Sequence, residues 1–332
     1  MKNLNKLVFT FLALHCLQVN AQNKYPVIVI HGGAGVIERG MLSEVDEAAI
    51  NEVLQLALDS GYAVLDRGGS ALNAIEKSII ILENSPYFNA GHGAVMNYDG
   101  RHELDASIMD GSNLEAGAVA GISTVKNPIL AAKAVMLNSP HVLLSGEGAE
   151  IFAKSENLEL VDNSYFTTEK IKKSWSESKS QLKLKGEGKS GPKPEKFGTV
   201  GAVAVDREGN IAAGTSTGGM MNKKHGRIGD SPLIGAGTYA DNSTCGISCT
   251  GHGEYFIRVG VAKEISDQMA FADKSLDEAV QFTLHKKLTG MGALGGLIGL
   301  DKSGNVVMEF NTSGMYRGYR NQNESIVRIY AD

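Results

Sequence analysis

The sequence predicts an α+β fold in which antiparallel hairpins recur between helices. Two stretches, residues 199–217 and 295–312, share one pattern, in which two apolar runs flank a polar Asp-x-x-Gly-Asn turn. Helical spacing dominates most of the segments between the N-terminal apolar strand and the first of these hairpins. This arrangement favours layered antiparallel sheets with helices over a parallel nucleotide-binding sheet.

The composition is typical of a globular protein. The chain has 332 residues, of which 42% are hydrophobic and 21% are charged, and this is enough apolar material for one large or two modest domains. Its 40 glycines indicate tight turns and close backbone contacts, because many of them stand beside apolar residues. The net charge of −5 gives no indication of a nucleic-acid partner.

Residues 1–21 resemble an export signal. Lys2 and Lys6 form a basic start, residues 7–14 form an apolar run too short to span a bilayer, and residues 19–21 end in a small-residue cleavage pattern. His15 before Cys16 disfavours a lipoprotein signal. Because no later segment could cross a membrane, we expect a soluble, exported protein that is periplasmic or secreted.

The elements before the first hairpin follow from local patterns. An apolar strand over residues 25–31 leads into a glycine-rich turn. The apolar spacing predicts one helix over residues 44–60 that ends at Gly61, and a second over residues 71–82 with Ser70 as its N-cap. Residues 88–111 are predicted as a hairpin around an Asp-Gly turn. A strand and two helices follow, at residues 116–124, 127–139 and 146–156, with Pro128 at a helix start.

Residues 160–198 are predicted as a flexible linker. Between Thr167 and Lys196 there are nine lysines and four glutamates, and Trp175 and two leucines are nearly the only large apolar groups. Such a segment cannot bury enough surface to offset its ordering entropy. A polyanion-binding arm is the alternative interpretation of its positive charge.

Two cysteines remain once the export signal is removed. Cys245 and Cys249 lie four residues apart, where a strand places both on one face without good disulfide geometry. Two buried thiols are therefore favoured over a disulfide, although an oxidising compartment would permit one. The chain has no CxxC or HxxxH spacing for a metal.

Two short motifs match common patterns without their usual context. Residues 31–35, HGGAG, follow a strand as a phosphate loop does, but the Lys-Ser/Thr pair of a P-loop is missing. Residues 214–218 match the GxSxG nucleophile elbow and would make Ser216 a triad nucleophile. That elbow requires a following helix, and the polar, glycine-rich residues after Gly218 do not predict one.

Other stretches combine the groups needed to bind and attack an amino acid. Arg227 and Asp230 supply a cation and an anion that suit the carboxylate and ammonium of a zwitterion. Thr250 and Gly251 form a turn with exposed N–H groups, and Thr217 lies near the start of the same charged segment. Each has a simpler explanation alone, such as a surface ion pair or an ordinary turn.

The abrupt boundary between the linker and the next strand suggests a cleavage site at Gly198–Thr199. If that bond were cut, Thr199 would carry a free α-amine beside its own hydroxyl. An α-amine has a pKa of about 7.7–8.0, so at neutral pH it can act as a base for that hydroxyl. Gly198 permits the unusual backbone that self-cleavage would need.

These residues resemble the isoaspartyl peptidase/plant-type L-asparaginase family of N-terminal threonine nucleophile hydrolases. The resemblance rests on IVIHGGAG, FNAGHGAV, HELDASIMDG, KFGTVGAVA, SCTGHGE and the long segment STGGMMNKKHGRIGDSPLIGAGTYADN. It implies a four-layer αββα sandwich, cleaved before Thr199 into an α chain of residues 22–198 and a β chain of residues 199–332. It also implies an (αβ)2 homodimer.

The resemblance implies hydrolysis of asparagine and β-aspartyl dipeptides, with no cofactor for catalysis. Thr199 would be the nucleophile, Thr217 would tune it and Asn89 would anchor it, while Thr250 and Gly251 would hold the oxyanion and contact the substrate. Arg227 would bind the substrate carboxylate and Asp230 its ammonium. A structural sodium ion is implied on the backbone carbonyls of Leu82, Glu83, Ser85, Phe88, Ala90 and His92.

Two alternatives remain open on sequence grounds. The first is a glycosylasparaginase, which the family's variation at His252 does not exclude, although Glu254 stands where those enzymes tend to have Asp. The second is a non-catalytic, exported amino-acid-binding protein, which would use Arg227 and Asp230 but would have no use for Gly198-Thr199.

Overall fold

The computed structural model describes residues 26–185 and 198–331. The predicted export signal and residues 186–197 of the predicted linker lie outside these ranges. The described chain is a mixed α+β structure with two sheets and helices, which confirms the predicted class. None of its helices within these ranges combines the length and the apolar character that a bilayer crossing needs.

Twelve strands form the two sheets of the described chain. The larger sheet has eight strands in the order β12-β11-β1-β5-β6-β2-β3-β4, and the smaller has four in the order β10-β9-β8-β7. Every neighbouring pair is antiparallel except β3 and β4. The strands are β1 Val27–Gly35, β2 Leu104–Asp110, β3 Ala116–Ile122, β4 Leu143–Ser145, β5 Val200–Val205, β6 Ile211–Thr217, β7 Thr238–Ala240, β8 Cys245–Gly251, β9 Gly295–Asp301, β10 Val306–Phe310, β11 Gly314–Arg320 and β12 Ser325–Tyr330.

Both hairpins predicted from the Asp-x-x-Gly-Asn turns are confirmed. Strands β5 and β6 pair in register from Val200 opposite Ser216, and β9 pairs with β10. In the first turn the carboxylate of Asp206 accepts hydrogen bonds from the backbone N–H groups of Glu208 and Asn210. Asp301 does the same for its own turn, so local side-chain chemistry sets both hairpins.

Helices contact both sheets. They are α1 Glu44–Asp66, α2 Ala71–Glu83, α3 Pro128–Asn138, α4 Gly146–Ser155, α5 Glu169–Lys185, α6 Gly253–Val259, α7 Val261–Ala272 and α8 Leu276–Val280, with a 3-10 turn at Asn163–Phe166 and a π-helical segment at Gln281–Leu288. Helices α1 to α3 contact the larger sheet, while α7 and α8 contact the smaller one. Ser43 and Ser70 cap α1 and α2 through their side chains, as the sequence predicts for Ser70.

Strand β5 illustrates how one strand serves two cores. Val200, Ala202 and Ala204 belong to the cluster beneath α1 to α3, whereas Val203 and Val205 belong to the cluster shared with the smaller sheet. Because side chains alternate along a strand, one face of β5 meets helices and the other meets the second sheet. The odd-numbered residues of β5 therefore face the space between the sheets.

Helix α1 is longer than predicted, because Gly61 lies inside it rather than at its end. A Cβ at this position would overlap the Ser78 hydroxyl and the Ile28 side chain. Glycine is present here to let α1 approach α2 and β1, and that close packing outweighs its low helix propensity.

Residues 88–98 do not form the first strand of a hairpin, so that prediction is wrong. The Asp99-Gly100 turn is present, with Gly100 N–H bonded to the carbonyl of Asn97, but the residues before it form a loop. Strand β2 pairs with β3 and β6 instead. These long-range pairings are not visible in the local pattern of the sequence.

Residues 169–185 form helix α5, so the prediction of a segment without regular structure is wrong there. The Trp175 ring lies over Gly100, and its Nε1 donates to the carbonyl of Asn97 at 2.9 Å. Lys179 donates to the carbonyl of Tyr98 at 2.7 Å. One tryptophan and one lysine on the same helix face thus supply the contacts that the composition of the segment conceals.

Cys245 and Cys249 are free and buried on β8, as favoured from the sequence. Burial raises the pKa of the Cys245 thiol to about 12 and that of Cys249 well above its usual value. Both thiols are therefore protonated near neutral pH, and they pack as small apolar groups.

Candidate active site

Thr199 lies at the head of β5, and its hydroxyl contacts that of Thr217 at the end of β6. The two Oγ1 atoms are 2.9 Å apart, and both residues are nearly fully buried. The backbone N–H of Gly219 donates to Thr217 Oγ1 at 3.0 Å. The antiparallel hairpin therefore brings together two threonines that are 18 positions apart in the sequence.

Asn89 holds the backbone on both sides of this pair. Its N–H donates to the carbonyl of Gly198 at 2.9 Å, and its carbonyl accepts from Gly218 N at 2.9 Å. Its side chain donates to the carbonyl of Gly219 at 2.7 Å. A Cβ at Gly198 would lie 2.7 Å from the Asn89 Cβ, so this contact requires glycine. Asn89 thus contacts the backbone next to Thr199 rather than its side chain.

Thr250 and Gly251 end strand β8 in the smaller sheet. The Thr250 hydroxyl is buried and accepts a long hydrogen bond, 3.4 Å, from the N–H of Ala34. Gly251 lines the same cleft as Thr199. A Cβ on Gly251 would lie 2.7 Å from the Gly295 Cα, so the adjacent strand leaves room only for glycine.

Arg227 faces the cleft and is held by a partner that was not among the predicted site residues. Its Nε and Nη2 donate to the two carboxylate oxygens of Glu254 at 2.9 and 3.0 Å. Partial burial raises the pKa of Glu254, but the hydrogen bonds and charge of Arg227 outweigh it and hold this pKa below its usual value. Glu254 was predicted only to distinguish two branches of the family.

Asp230 is buried against the same cleft. Burial raises the pKa of its carboxyl to about 7, and the nearby charge of Arg227 opposes this rise. Its Oδ2 atom has no hydrogen-bond partner among the described residues. A buried carboxylate with an unused oxygen at a cleft is suited to accept a cationic group.

One cleft contains most of the predicted site residues. It lies between the hairpin of β5 and β6, the loop after β6 and the end of β8. Its lining residues are Gly198, Thr199, Thr217, Gly219, Met220, Arg227, Gly229, Asp230, Ser231 and Gly251. The structure therefore brings the candidate nucleophile, the predicted cleavage site and the predicted zwitterion-binding pair to one cleft. Asn89 and Thr250 contact the residues around it.

A second set of buried charges lies beneath the loop after β6 and was missed in the sequence. Lys223 Nζ donates to the carbonyl of Glu103 at 2.8 Å and lies within 3.0 Å of where a Cβ on Gly219 would be. Burial lowers the pKa of Lys223, and the carboxylates of Asp105 and Glu103 oppose that change. In the sequence this position is marked only by the adjacent lysines Lys223 and Lys224. Sequence alone does not distinguish a buried lysine from an exposed one.

Ser216 faces away from the cleft, so its GxSxG match does not make it a nucleophile of this site. Its hydroxyl donates to Glu83 Oε1 at 2.7 Å on the helix side of the sheet. Burial raises the pKa of Glu83 to about 7, opposed by hydrogen bonds from Ser216, Asn127 and the Ile129 N–H. Because Thr217 is the next residue, it points to the opposite face, which is the one that lines the cleft.

The loop predicted to carry sodium follows α2. The carbonyls of Leu82 and Glu83 already accept hydrogen bonds from the N–H groups of Ser85 and His92. The carbonyl oxygens of Pro86 and Phe88 each lie 2.9 Å from where a Cβ on Gly93 would be. Two carbonyl oxygens of the loop thus lie near Gly93, and of these only Phe88 is among the predicted sodium ligands.

Known proteins of similar sequence share one family. The profile of the asparaginase family Asparaginase_2 matches residues 24–329. The isoaspartyl peptidase of Escherichia coli (strain K12) is 48% identical over 297 residues, which cover 88% of this chain and 92% of that protein. The isoaspartyl peptidase/L-asparaginase of Xenopus laevis is 44% identical over 292 residues, with coverage of 87% and 90%.

The corresponding protein of Mus musculus is 41% identical over 289 residues, which cover 87% of this chain and 86% of that protein. These matches extend over nearly the whole of each relative, and the family profile spans both sides of the Gly198–Thr199 bond. The resemblance inferred from the sequence motifs is confirmed, and the chain belongs to the asparaginase family Asparaginase_2.

Proposed function

We propose that this protein is a self-cleaving amidohydrolase that hydrolyses β-aspartyl dipeptides and L-asparagine and releases L-aspartate. One observation supports this most directly: the Thr199 hydroxyl, 2.9 Å from Thr217, lines the same cleft as Arg227 and Asp230. The names of the relatives, isoaspartyl peptidase and L-asparaginase, support the same substrates.

The first chemical step is attack by Thr199 on the substrate side-chain carbonyl carbon. After cleavage of the chain, the free α-amine of Thr199 takes the hydroxyl proton, and Oγ1 forms a bond to the carbon. The leaving ammonia or amino acid then takes that proton from the amine. Water hydrolyses the resulting β-aspartyl ester, with the same amine as base, and restores the threonine hydroxyl.

Charge complementarity selects the substrate. Arg227 binds the α-carboxylate with the edge of its guanidinium that Glu254 does not use, and Asp230 accepts the α-ammonium. The N–H of Gly251, with Thr250, stabilises the oxyanion, and one such donor is worth roughly 2.7–4 kcal/mol of barrier. Thr217 orients the nucleophile hydroxyl.

We propose that the same hydroxyl cuts the chain before Thr199. The Gly198 carbonyl accepts a hydrogen bond from Asn89 N–H, which polarises the carbonyl that Thr199 would attack. Transfer of the Gly198 acyl group from nitrogen to oxygen, followed by hydrolysis, would release an α chain of residues 22–198 and a β chain of residues 199–332 of one domain.

The family resemblance also suggests an architecture, an assembly and a location for this protein. We propose a four-layer αββα arrangement, an (αβ)2 homodimer, and export after removal of residues 1–21 to a periplasmic or secreted location. Leu82, Glu83, Ser85, Phe88, Ala90 and His92 would offer backbone carbonyls to a structural sodium ion, which would order the loop behind Asn89 and take no part in the reaction.

A denaturing gel and N-terminal sequencing test the proposal. The purified protein should convert to two chains, with a new N-terminus at Thr199, and should hydrolyse β-Asp-Leu and L-asparagine. Thr199→Ala should give one chain and no activity, while Thr199→Ser should retain part of both. Turnover of N-glycosylated asparagine alone would identify a glycosylasparaginase, and a single inactive chain that binds amino acids would identify a binding protein.

A further inference from the structure

A chain of buried polar side chains crosses the space between the two sheets directly behind the cleft. Each member is fully buried, with 0% of its surface exposed. The contacts run from His31 Nε2 to Ser248 Oγ (2.9 Å), Ser248 to Thr215 (2.7 Å), Thr215 to Thr238 (2.6 Å), Thr238 to Ser107 (2.8 Å) and Ser107 to the carbonyl of Ser231 (2.6 Å).

Sheet register builds this chain. His31, Gly201, Thr215 and Ser107 stand side by side on four adjacent strands, because the pairings are His31 opposite Gly201, Gly201 opposite Thr215 and Thr215 opposite Ser107. Ser248 and Thr238 are opposite one another in the smaller sheet. The hydrogen-bonded side chains therefore connect the two sheets along one row of paired residues.

That row is one side-chain layer behind the candidate catalytic threonines. Gly201 follows Thr199 by two residues in β5, and Thr215 precedes Thr217 by two residues in β6. Residues two apart in a strand point to the same face, so Gly201 stands directly behind Thr199 and Thr215 directly behind Thr217. The hydrogen-bonded side chains thus form the layer directly beneath the site.

The two ends of this hydrogen-bonded series of side chains contact different parts of the site. At one end a Cβ on Gly201 would overlap both Ser248 Oγ and His31 Nε2, so the strand that carries Thr199 lies directly on this pair. At the other end Ser107 holds the carbonyl of Ser231, which lines the cleft and follows Asp230 in the chain. Burial lowers the pKa of His31 to about 3, opposed by the Thr199 backbone, so the ring brings no charge beneath the site.

We infer that His31 and Ser107 are positioning residues at opposite ends of this buried hydrogen-bonded chain. His31 fixes the strand that carries the nucleophile, and Ser107 fixes the segment that carries Asp230. The inference rests on the proposed function, since it assigns Thr199 to chemistry and Asp230 to substrate binding. Because buried hydrogen bonds are costly to leave unmade, removing either end shifts the part of the site above it.

The two ends should change different constants. Ser107→Ala should raise KM for L-asparagine, and the dissociation constant of the product L-aspartate, by about tenfold while kcat changes less than about threefold. His31→Leu should lower kcat about tenfold and slow chain cleavage while KM changes little. His31→Gln, whose amide can reach the position of Nε2, should restore most of kcat.

Ser266→Ala is the matched control, because Ser266 and Thr244 form a similarly buried hydroxyl pair away from the cleft, at 2.7 Å. It should leave kcat, KM and the dissociation constant unchanged. The inference is overturned if Ser107→Ala behaves as Ser266→Ala does, or if Ser107→Ala and His31→Leu change the same constant. An inactive wild-type protein would instead refute the proposed function, and the L-aspartate titration of Ser107→Ala would still test the binding end.

Discussion

Arg227 and Glu254 are joined by two parallel hydrogen bonds, from Nε to Oε1 and from Nη2 to Oε2. The Nη1 edge of the guanidinium is directed toward Gly219 and Gly229, where a Cβ on Gly229 would lie 2.8 Å from it. Because a bidentate pair fixes the guanidinium plane as well as its position, Glu254 aims the remaining edge of Arg227 into the cleft.

Glu254→Gln should therefore weaken substrate binding rather than chemistry. A glutamine can accept only one of the two hydrogen bonds and carries no charge, so Arg227 loses its fixed orientation. We expect KM for L-asparagine to rise about tenfold with kcat little changed, as measured by steady-state kinetics. The matched control is Glu159→Gln, which removes the carboxylate of an exposed ion pair with Lys126 and should change neither constant. An unchanged KM for Glu254→Gln would show that Arg227 orients itself without its partner.

Thr217→Val tests the second hydroxyl of the site. Valine has nearly the shape of threonine but cannot form a hydrogen bond with Thr199 Oγ1 or accept one from Gly219 N–H. We expect kcat to fall about 100-fold with KM within about threefold, because the loss affects the nucleophile rather than the zwitterion-binding groups. Thr244→Val, a buried threonine away from the cleft, is the control. Equal kinetics for the two variants would remove Thr217 from the catalytic machinery.

The features that were predictable from the sequence are those that local chemistry determines. The turns at Asp206 and Asp301 form because each carboxylate bonds its own following N–H groups, so the hairpins could be predicted. The roles of Lys223 and Glu254 could not, because they depend on which strands become neighbours. Helix α5 was missed for the same reason: its stability comes from contacts of Trp175 with a loop more than seventy residues earlier.

Activity should fall as the pH drops below about 7, for two separable reasons. An α-amine has a reference pKa of about 7.7–8.0, and the Thr199 amine loses its role as base when it is protonated, so kcat falls. Burial raises the pKa of Asp230 to about 7 against the charge of Arg227, and the nearby carboxylates of Glu254 and Asp105 contribute to this rise. Asp230 therefore becomes neutral in the same pH range, so KM rises. Below the pKa, KM should rise up to about tenfold per pH unit.

The measurement is kcat and KM from pH 5 to 9. Recovery of full activity when protein held at pH 5 is returned to pH 8 separates titration from denaturation. A profile that stays flat down to pH 5 would be incompatible with both the amine base and an ionised Asp230.

Asp230→Asn should abolish substrate binding but stabilise the fold. The folded-state pKa of Asp230 is raised above that of the unfolded chain, so the folded protein favours the protonated form. The ionised, buried Asp230 carboxylate lowers the free energy of unfolding. This cost is absent well below pH 4, grows as the pH rises and is complete above about pH 7. We expect Asp230→Asn to raise the free energy of unfolding at pH 8 by between about 1 and 4 kcal/mol, with a smaller gain at pH 5.

The experiment is a denaturant titration in the Thr199→Ala background, where the chain stays whole and unfolding can be reversed. Asp241→Asn, at an exposed turn, provides the comparison, since no buried charge is removed there. A lower stability for Asp230→Asn at pH 8 would mean that Arg227 more than compensates for the buried carboxylate.

Helix α5 should stay docked after the chain is cut at Thr199. Trp175 donates to the Asn97 carbonyl, and Ser178 accepts a hydrogen bond from Asn222 at 2.9 Å. Through Asn222, the helix contacts the loop that leads to Arg227. Because neither contact needs the Gly198–Thr199 bond, cleavage leaves both intact. Trp175 is the only tryptophan of the chain, so its fluorescence reports on this helix alone.

We expect the emission maximum and the acrylamide quenching of the mature protein to match those of uncut Thr199→Ala. Asn222→Ala removes the bond to Ser178 and should raise KM about threefold, because the loop that carries Arg227 becomes less fixed while Thr199 is untouched. Ser180→Ala, on the exposed side of α5, should leave KM unchanged. A red-shifted, freely quenched tryptophan after cleavage would show that α5 leaves the site once the chain is cut.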